Sequence, residues 1–342
     1  MSDGLGVRGW ATRLLATALA AAVVVSVAAG GAVLAGQGDG PPDDPLAVPE
    51  YQPENVSAEY MSAEGEITPS RDATTGSGTV VIDAAHGNRF DRATIEPLVR
   101  GLTRVGYTVE FYRSGDLADA LDDAKAFVVI DPAQEFRSGD VNDVRRFTGQ
   151  GGRLLVVGEP DRVAVSASLF GTSIQTQDSA LTSLGSAYGA SVGTAYLYNQ
   201  ESADANYKYI VTRPTDGAEL EGVEETTMYT AGAVRVRGGQ VLLRAAPRTF
   251  ESSTDDSQGR HPVAVQRNNV VFLGDKTFMG EDRYRVADNE AFLTYLVEFL
   301  ASGERDPNQS LDPDPGGEDE EEEETPVGNT TTVPPADTGD VD

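Results

Sequence analysis

The chain has 342 residues, with 26 basic against 55 acidic side chains and no cysteine. A net charge of −29 repels nucleic-acid phosphates and anionic lipid surfaces, and the lack of cysteine excludes disulfides, thiolate nucleophiles and cysteine-based metal sites. Of the acids, 13 fall in Asp306–Asp342 with no base among them, so the rest is acidic too; Lys125, Lys208 and Lys276 are the only lysines. This composition suits concentrated salt, where the Debye length shrinks to roughly 3 Å at 1 M, and a halophilic source is expected.

Residues 1–13 carry Arg8 and Arg13 and read as a cytoplasmic N-terminus. The 22 residues 14–35, LLATALAAAVVVSVAAGGAVLA, hold no charge. As a helix they span about 33 Å, enough to cross the hydrocarbon core. A transmembrane anchor is expected here; a signal peptide cleaved after Val33-Leu34-Ala35 is the alternative. Asp39, Asp43 and Asp44 follow, and the next base is Arg71. The positive-inside bias therefore places the main domain outside the cell membrane, as a single-pass protein. Residues 36–78, rich in Gly, Pro and acids, read as a linker.

Residues 79–302 read as one α/β domain. Thr79–Phe90, TVVIDAAHGNRF, is a buried strand running into an acid and a loop, and Asp91 opens a helix whose apolar face is Ile95, Leu98, Val99, Leu102 and Val105, closed by Gly106. Thr108–Tyr112, Ala126–Ile130 and Arg153–Val157 are further strands, separated by helices at Leu117–Leu121 and Asp140–Phe147. Near-continuous apolar strands alternating with helices predict a mostly parallel sheet with helices on both faces. Residues 163–199, rich in Ser, Thr, Ala and Gly, read as an insertion with a helix over Ser179–Tyr188. Short strands follow at Lys208–Thr212, Thr226–Tyr229, Ala233–Val236, Val241–Leu243, His261–Val265 and Val270–Leu273, with a polar loop over Thr254–Arg260. Asp288 is expected to cap the last helix. Residues 303–342 read as a disordered acidic tail.

Four strands end in an acid: Asp83, Asp131, Glu159 and Asp275. In a parallel sheet these share the carboxyl rim, where α/β folds place ligands, and His86 and Asn88 lie on the first loop of that rim. Three readings stay open. The acids cap helices and order turns, or they line a polar-ligand pocket with His86, or they form a catalytic or hard-cation site. Arg89, Arg92, Arg100 and Arg104 read as a solvated helix face. No phosphate-binding glycine loop, GxSxG elbow or HExxH motif is present, and no cofactor, metal or catalytic residue is assigned.

DAAHGNRF after the first strand, GEP after the fourth, and VVFLGDKTFMG with DNEAFLTYLVEFL resemble the domain-of-unknown-function family 4350. The resemblance runs over about Val80–Leu300. It implies a glutamine-amidotransferase-like, flavodoxin-like three-layer sandwich of the kind found in membrane-anchored proteins of halophilic archaea and of bacteria. It further implies association with a MoxR-type AAA ATPase and its membrane proteins. Amidotransferases use a cysteine on a strand-to-helix elbow, and this chain has none. The expectation is a non-catalytic domain that binds or assembles within an envelope protein complex. The alternative is a hydrolase or carbohydrate-binding protein using the rim around His86.

Overall fold

The computed structural model describes residues 65–70, 77–168, 171–253 and 258–306. The expected anchor over 14–35, most of the linker and nearly all of the acidic tail lie outside these residues. Among the described residues no helix is long and apolar enough to cross a membrane.

The chain runs through β1 (Thr79–Asp83), α1 (Arg92–Arg104), β2 (Thr108–Tyr112), α2 (Leu117–Leu121), β3 (Ala124–Ile130), α3 (Ser138–Gly149) and β4 (Arg153–Val157). Next come β5 (Arg162–Ser168), β6 (Gly171–Gln177), α4 (Thr182–Ser186), β7 (Ala190–Tyr198), β8 (Ala203–Asp204), β9 (Tyr209–Pro214) and β10 (Thr226–Tyr229). The last elements are β11 (Gly232–Val236), β12 (Gln240–Ala245), β13 (Thr249–Glu251), β14 (Gln258–Gly259), β15 (Pro262–Arg267), β16 (Val270–Leu273) and α5 (Asn289–Ala301).

One ten-stranded sheet organises the domain, in the order β10-β9-β12-β15-β16-β4-β3-β1-β2, with β8 against β9. From β2 to β16 the neighbours are parallel, and from β16 through β15, β12 and β9 to β10 they are antiparallel. The sheet is therefore mixed, not mostly parallel. β15 and β16 are joined by a tight turn with Asn268 in the left-handed region (φ 50°), and a connection that short permits only antiparallel pairing.

Alternation along the parallel strands fills both faces. Val80 and Ile82 join α1 and α5 in one core, while Val81 joins α2 and α3 in the other. That is why β1, β3 and β4 are apolar without a break. Asp91 caps α1 by accepting from the Thr94 amide at 2.9 Å, and Gly106 follows the helix at φ 90°. Ile67, inside the expected linker, is buried in the α1–α5 core.

Other expectations change as well. The insertion is mostly strand. β5 and β6 form a hairpin of their own, registered from Arg162↔Gln177 to Ser168↔Gly171, and β7 enters a second sheet, β11-β7-β13-β14. The helix expected over Ser179–Tyr188 shrinks to Thr182–Ser186. Asp288 does not cap α5 with its side chain. It accepts instead from the Glu224 and Glu225 amides at 2.9 Å each, tying the loop before β10 to the helix start.

Candidate functional site

Because β1, β3, β4 and β16 are parallel neighbours, Asp83, Asp131, Glu159 and Asp275 do share one rim, and all four are buried. The rim divides into a turn-ordering part and a cavity.

On the β1 side, Asp83 receives the His86 Nδ1 at 3.0 Å from both carboxylate oxygens and the Ala85 amide at 3.2 Å. The imidazole stacks on Phe136 with ring centroids 3.8 Å apart, and its Nε2 stands 3.8 Å from Asp140 on α3. The His86 carbonyl accepts from the amides of Ala133 and Gln134. His86 therefore fastens the β1 loop to the β3 loop. Asn88 donates to the Ile130 carbonyl at 3.0 Å and does the same from the next position.

Asp131 sits where β3 turns, with φ 43°, a backbone region costly for a side-chain-bearing residue. Its carboxylate accepts from Arg89 Nη2 at 2.6 Å, from Ser179 Oγ at 2.6 Å and from Lys276 Nζ. Burial pushes its pKa up, but the bonds from Arg89, Lys276 and Ser179 outweigh it and hold the carboxyl below its ordinary value.

Glu159 follows β4. It accepts from the Lys276 amide at 2.8 Å and from the Arg162 guanidinium. Burial, then the neighbouring Asp275, push its pKa up to about 8. Burial also raises Asp275. Asp275 accepts from the amides of Thr277 at 2.8 Å, Tyr229 at 3.0 Å and Phe278 at 3.3 Å. Three backbone donors oppose that rise at Asp275.

Arg89, Asp131, Glu159, Pro160, Arg162, Gln177 and Lys276 line an open cavity of about 180 Å³. Of the six rim residues expected from sequence, Asp131 and Glu159 line it. Asp83, His86, Asn88 and Asp275 are not in its wall; Asp83 and Asp275 order turns, in keeping with the capping alternative.

Three cations complete the wall, and sequence reasoning missed them. Arg89, expected on the solvated face of α1, precedes that helix and pairs with Asp131. Arg162 opens the hairpin, and Lys276 follows Asp275. The scarcity of lysine was the available signal for Lys276. Among the described residues no group of three or more His, Cys, Asp or Glu side chains is placed to hold a metal ion.

No family model matches the chain, and no curated protein does. Among solved structures it is similar to the mmIFT52 N-terminal domain, with TM-score 0.51 and 13% identity over 66% of this chain and 99% of that one. That likeness concerns the fold alone. A ThuA-like protein from Parabacteroides merdae matches with TM-score 0.38 and 13% identity over 68% of this chain and 92% of that one. The exo-beta-1,4-mannosidase Op5Man5 from Opitutaceae bacterium strain TAV5 matches with TM-score 0.36 and 14% identity, over 68% of this chain and 37% of that one.

What the rim can do chemically follows from its charges. Asp131 is an anion engaged by Arg89, Ser179 and Lys276, and Glu159 is an acid whose pKa burial raises to about 8. The wall as a whole is a polar, cation-bearing recess.

Proposed function

We propose that this chain is a non-catalytic, amidotransferase-like binding domain of the flavodoxin-like type. Residues 14–35 tether it to the cell membrane with the domain outside, and it serves as a component of an envelope protein complex linked to a MoxR-type AAA ATPase. The observation that carries the non-catalytic reading is Asp131. It occupies a strained position just past the carboxyl end of β3, the edge of the sheet where α/β folds place their sites. Its carboxylate is saturated by Arg89, Ser179 and Lys276, and the chain offers no cysteine to replace it. A MoxR-type ATPase is cytoplasmic, so contact with it runs through residues 1–13 or a third membrane protein.

Purification of the tagged full chain from detergent-solubilised membranes tests this reading. Stoichiometric co-purification of membrane partners, with no glutamine hydrolysis, is the expected result. Recovery of the chain alone, or ammonia release from glutamine, overturns it.

A second reading, a hydrolase or carbohydrate-binding protein centred on His86, draws support from the Asp83–His86 pair at 3.0 Å. A carboxylate-oriented imidazole is the general-base half of many hydrolytic sites.

A further inference from the structure

We propose that the cavity at the carboxyl edge of the sheet binds a small oxyanion, of the carboxylate or sulfate and phosphate class, through Arg89, Arg162 and Lys276. This rests on the binding, non-catalytic reading of the same edge and names its ligand.

The charge distribution is the first reason. Acids outnumber bases 55 to 26 in this chain, yet cations outnumber acids in the cavity wall, where three of the seven residues are cationic and two are acidic. The acids there are already engaged. Asp131 is covered by Arg89, Ser179 and Lys276, and Glu159 by the Lys276 amide and Arg162. With the Glu159 pKa raised to about 8 by burial and by Asp275, the wall carries a positive excess at neutral pH.

Unspent donors are the second reason. An ammonium has three N–H groups. Lys276 uses two, on the Arg89 carbonyl and on Asp131. Arg162 donates from Nη2 to Glu159, while its Nε is buried without a hydrogen-bond partner. A buried N–H left unpaired is destabilising, and an oxyanion supplies acceptors in charge-assisted geometry.

Size and access agree. About 10–15 Å³ of such space admits one water, so about 180 Å³ accepts a ligand of several heavy atoms. Part of the wall is Arg162 and Gln177, the first registered pair of the two-stranded β5–β6 hairpin, so a ligand seated there also bears on how the hairpin meets the sheet.

Isothermal titration of the detergent-solubilised full chain with sulfate and, in parallel, acetate tests this at constant ionic strength. Sulfate keeps its charge across the range used. Saturable one-site binding of either anion is expected, and the tighter of the two says whether a tetrahedral or a planar group is preferred. Arg162→Gln and Lys276→Met should each weaken it at least tenfold, while Arg92→Gln, an equal charge loss on the exposed face of α1, leaves it unchanged. Raising the pH from 7 to 9 should weaken binding several-fold in the parent chain and not in Glu159→Gln. Should Lys276→Met fail to fold, Arg162→Gln decides. No saturable binding, or equal binding by Arg162→Gln, overturns the proposal. Partners that still co-purify in that event leave the assembly reading standing, whereas glutamine hydrolysis sinks that reading alone.

Discussion

Lys276, just past β16, donates from Nζ to the backbone carbonyl of Arg89 at 2.6 Å, and Arg89 in turn pairs with Asp131. β16 and β1 are not neighbours; β4 and β3 lie between them. One lysine therefore spans the edge of the parallel half-sheet and binds the loops of its first and last strands into one structure. The Lys276 side chain is 12% exposed and that of Asp131 3%, so this ion pair is shielded from the screening that makes surface pairs weak.

Lys276→Met should therefore destabilise the domain. Breaking a buried pair by removing one partner costs about 3–5 kcal/mol. Arg89 and Ser179 still serve Asp131, which brings the expected loss to about 1–3 kcal/mol. Urea denaturation measures it. A loss below about 0.5 kcal/mol, the scale of a surface change, contradicts a buried linkage.

The two cavity acids give stability opposite pH slopes. Asp131 has a folded pKa below its ordinary 3.8, so its contribution is present above that value and is lost as pH falls through the folded pKa. Glu159 is raised from 4.5 to about 8. The folded state then binds more protons than the unfolded one between those values, and stability falls as pH rises, by up to about 1.4 kcal/mol per pH unit. Glu159→Gln should flatten the upper window and leave the acid limb intact. Denaturation midpoints from pH 3 to 9 check both limbs; a parent profile without a falling limb above pH 5 refutes a raised Glu159 pKa.

The strands that were legible in the sequence are those whose apolar run is bounded on both sides. β2, β4, β10 and β16 lie at the residues expected, since each is a short block rich in apolar, β-branched or aromatic residues between polar or turn residues. β5, β6 and β7 were not legible. Their side chains are mainly Ser, Thr, Ala and Gly, which carry little strand signal, and β7 pairs with β11 and β13, far along the chain. The site divided the same way. Acids at strand ends are visible one by one, but the cations that neutralise them come from residues 89, 162 and 276, and only the strand order β16-β4-β3-β1 brings those together.

Gly274 marks where the second sheet crosses the main one. Its carbonyl accepts from the Gly232 amide at 2.7 Å, and its own amide donates to Val263 at 3.0 Å. A Cβ at Gly274 would run into the Gly232 backbone carbonyl, which no side-chain rotation relieves. Gly274→Ala should cost about 3 kcal/mol or more, at the upper end of overpacking. Gly238→Ala meets no atom within 4 Å and bears only the strain of φ 72°, about 1–2 kcal/mol. Chemical denaturation of the two variants compares them; equal losses would mean that the sheets are not in backbone contact.

His86 separates the two functional readings. As a fastener it shields Asp83, which is fully buried and has the Ala85 amide as its other donor. His86→Ala leaves that carboxylate underpaired and removes the ring stacked on Phe136, so a loss of about 2–3 kcal/mol is expected. Asp83→Asn keeps the shape and one acceptor, and should lose less. A general base behaves differently: its removal lowers turnover by about 10²–10⁴-fold, even in variants that remain folded. Thermal unfolding of His86→Ala, run beside hydrolysis assays on ester and glycoside substrates, resolves the two. Lower stability with no activity to lose supports the fastener, because Nε2 faces the Asp140 carboxylate at 3.8 Å rather than a hydroxyl it can activate. Hydrolysis by the parent chain that disappears in His86→Ala would return the loop after β1 to catalysis.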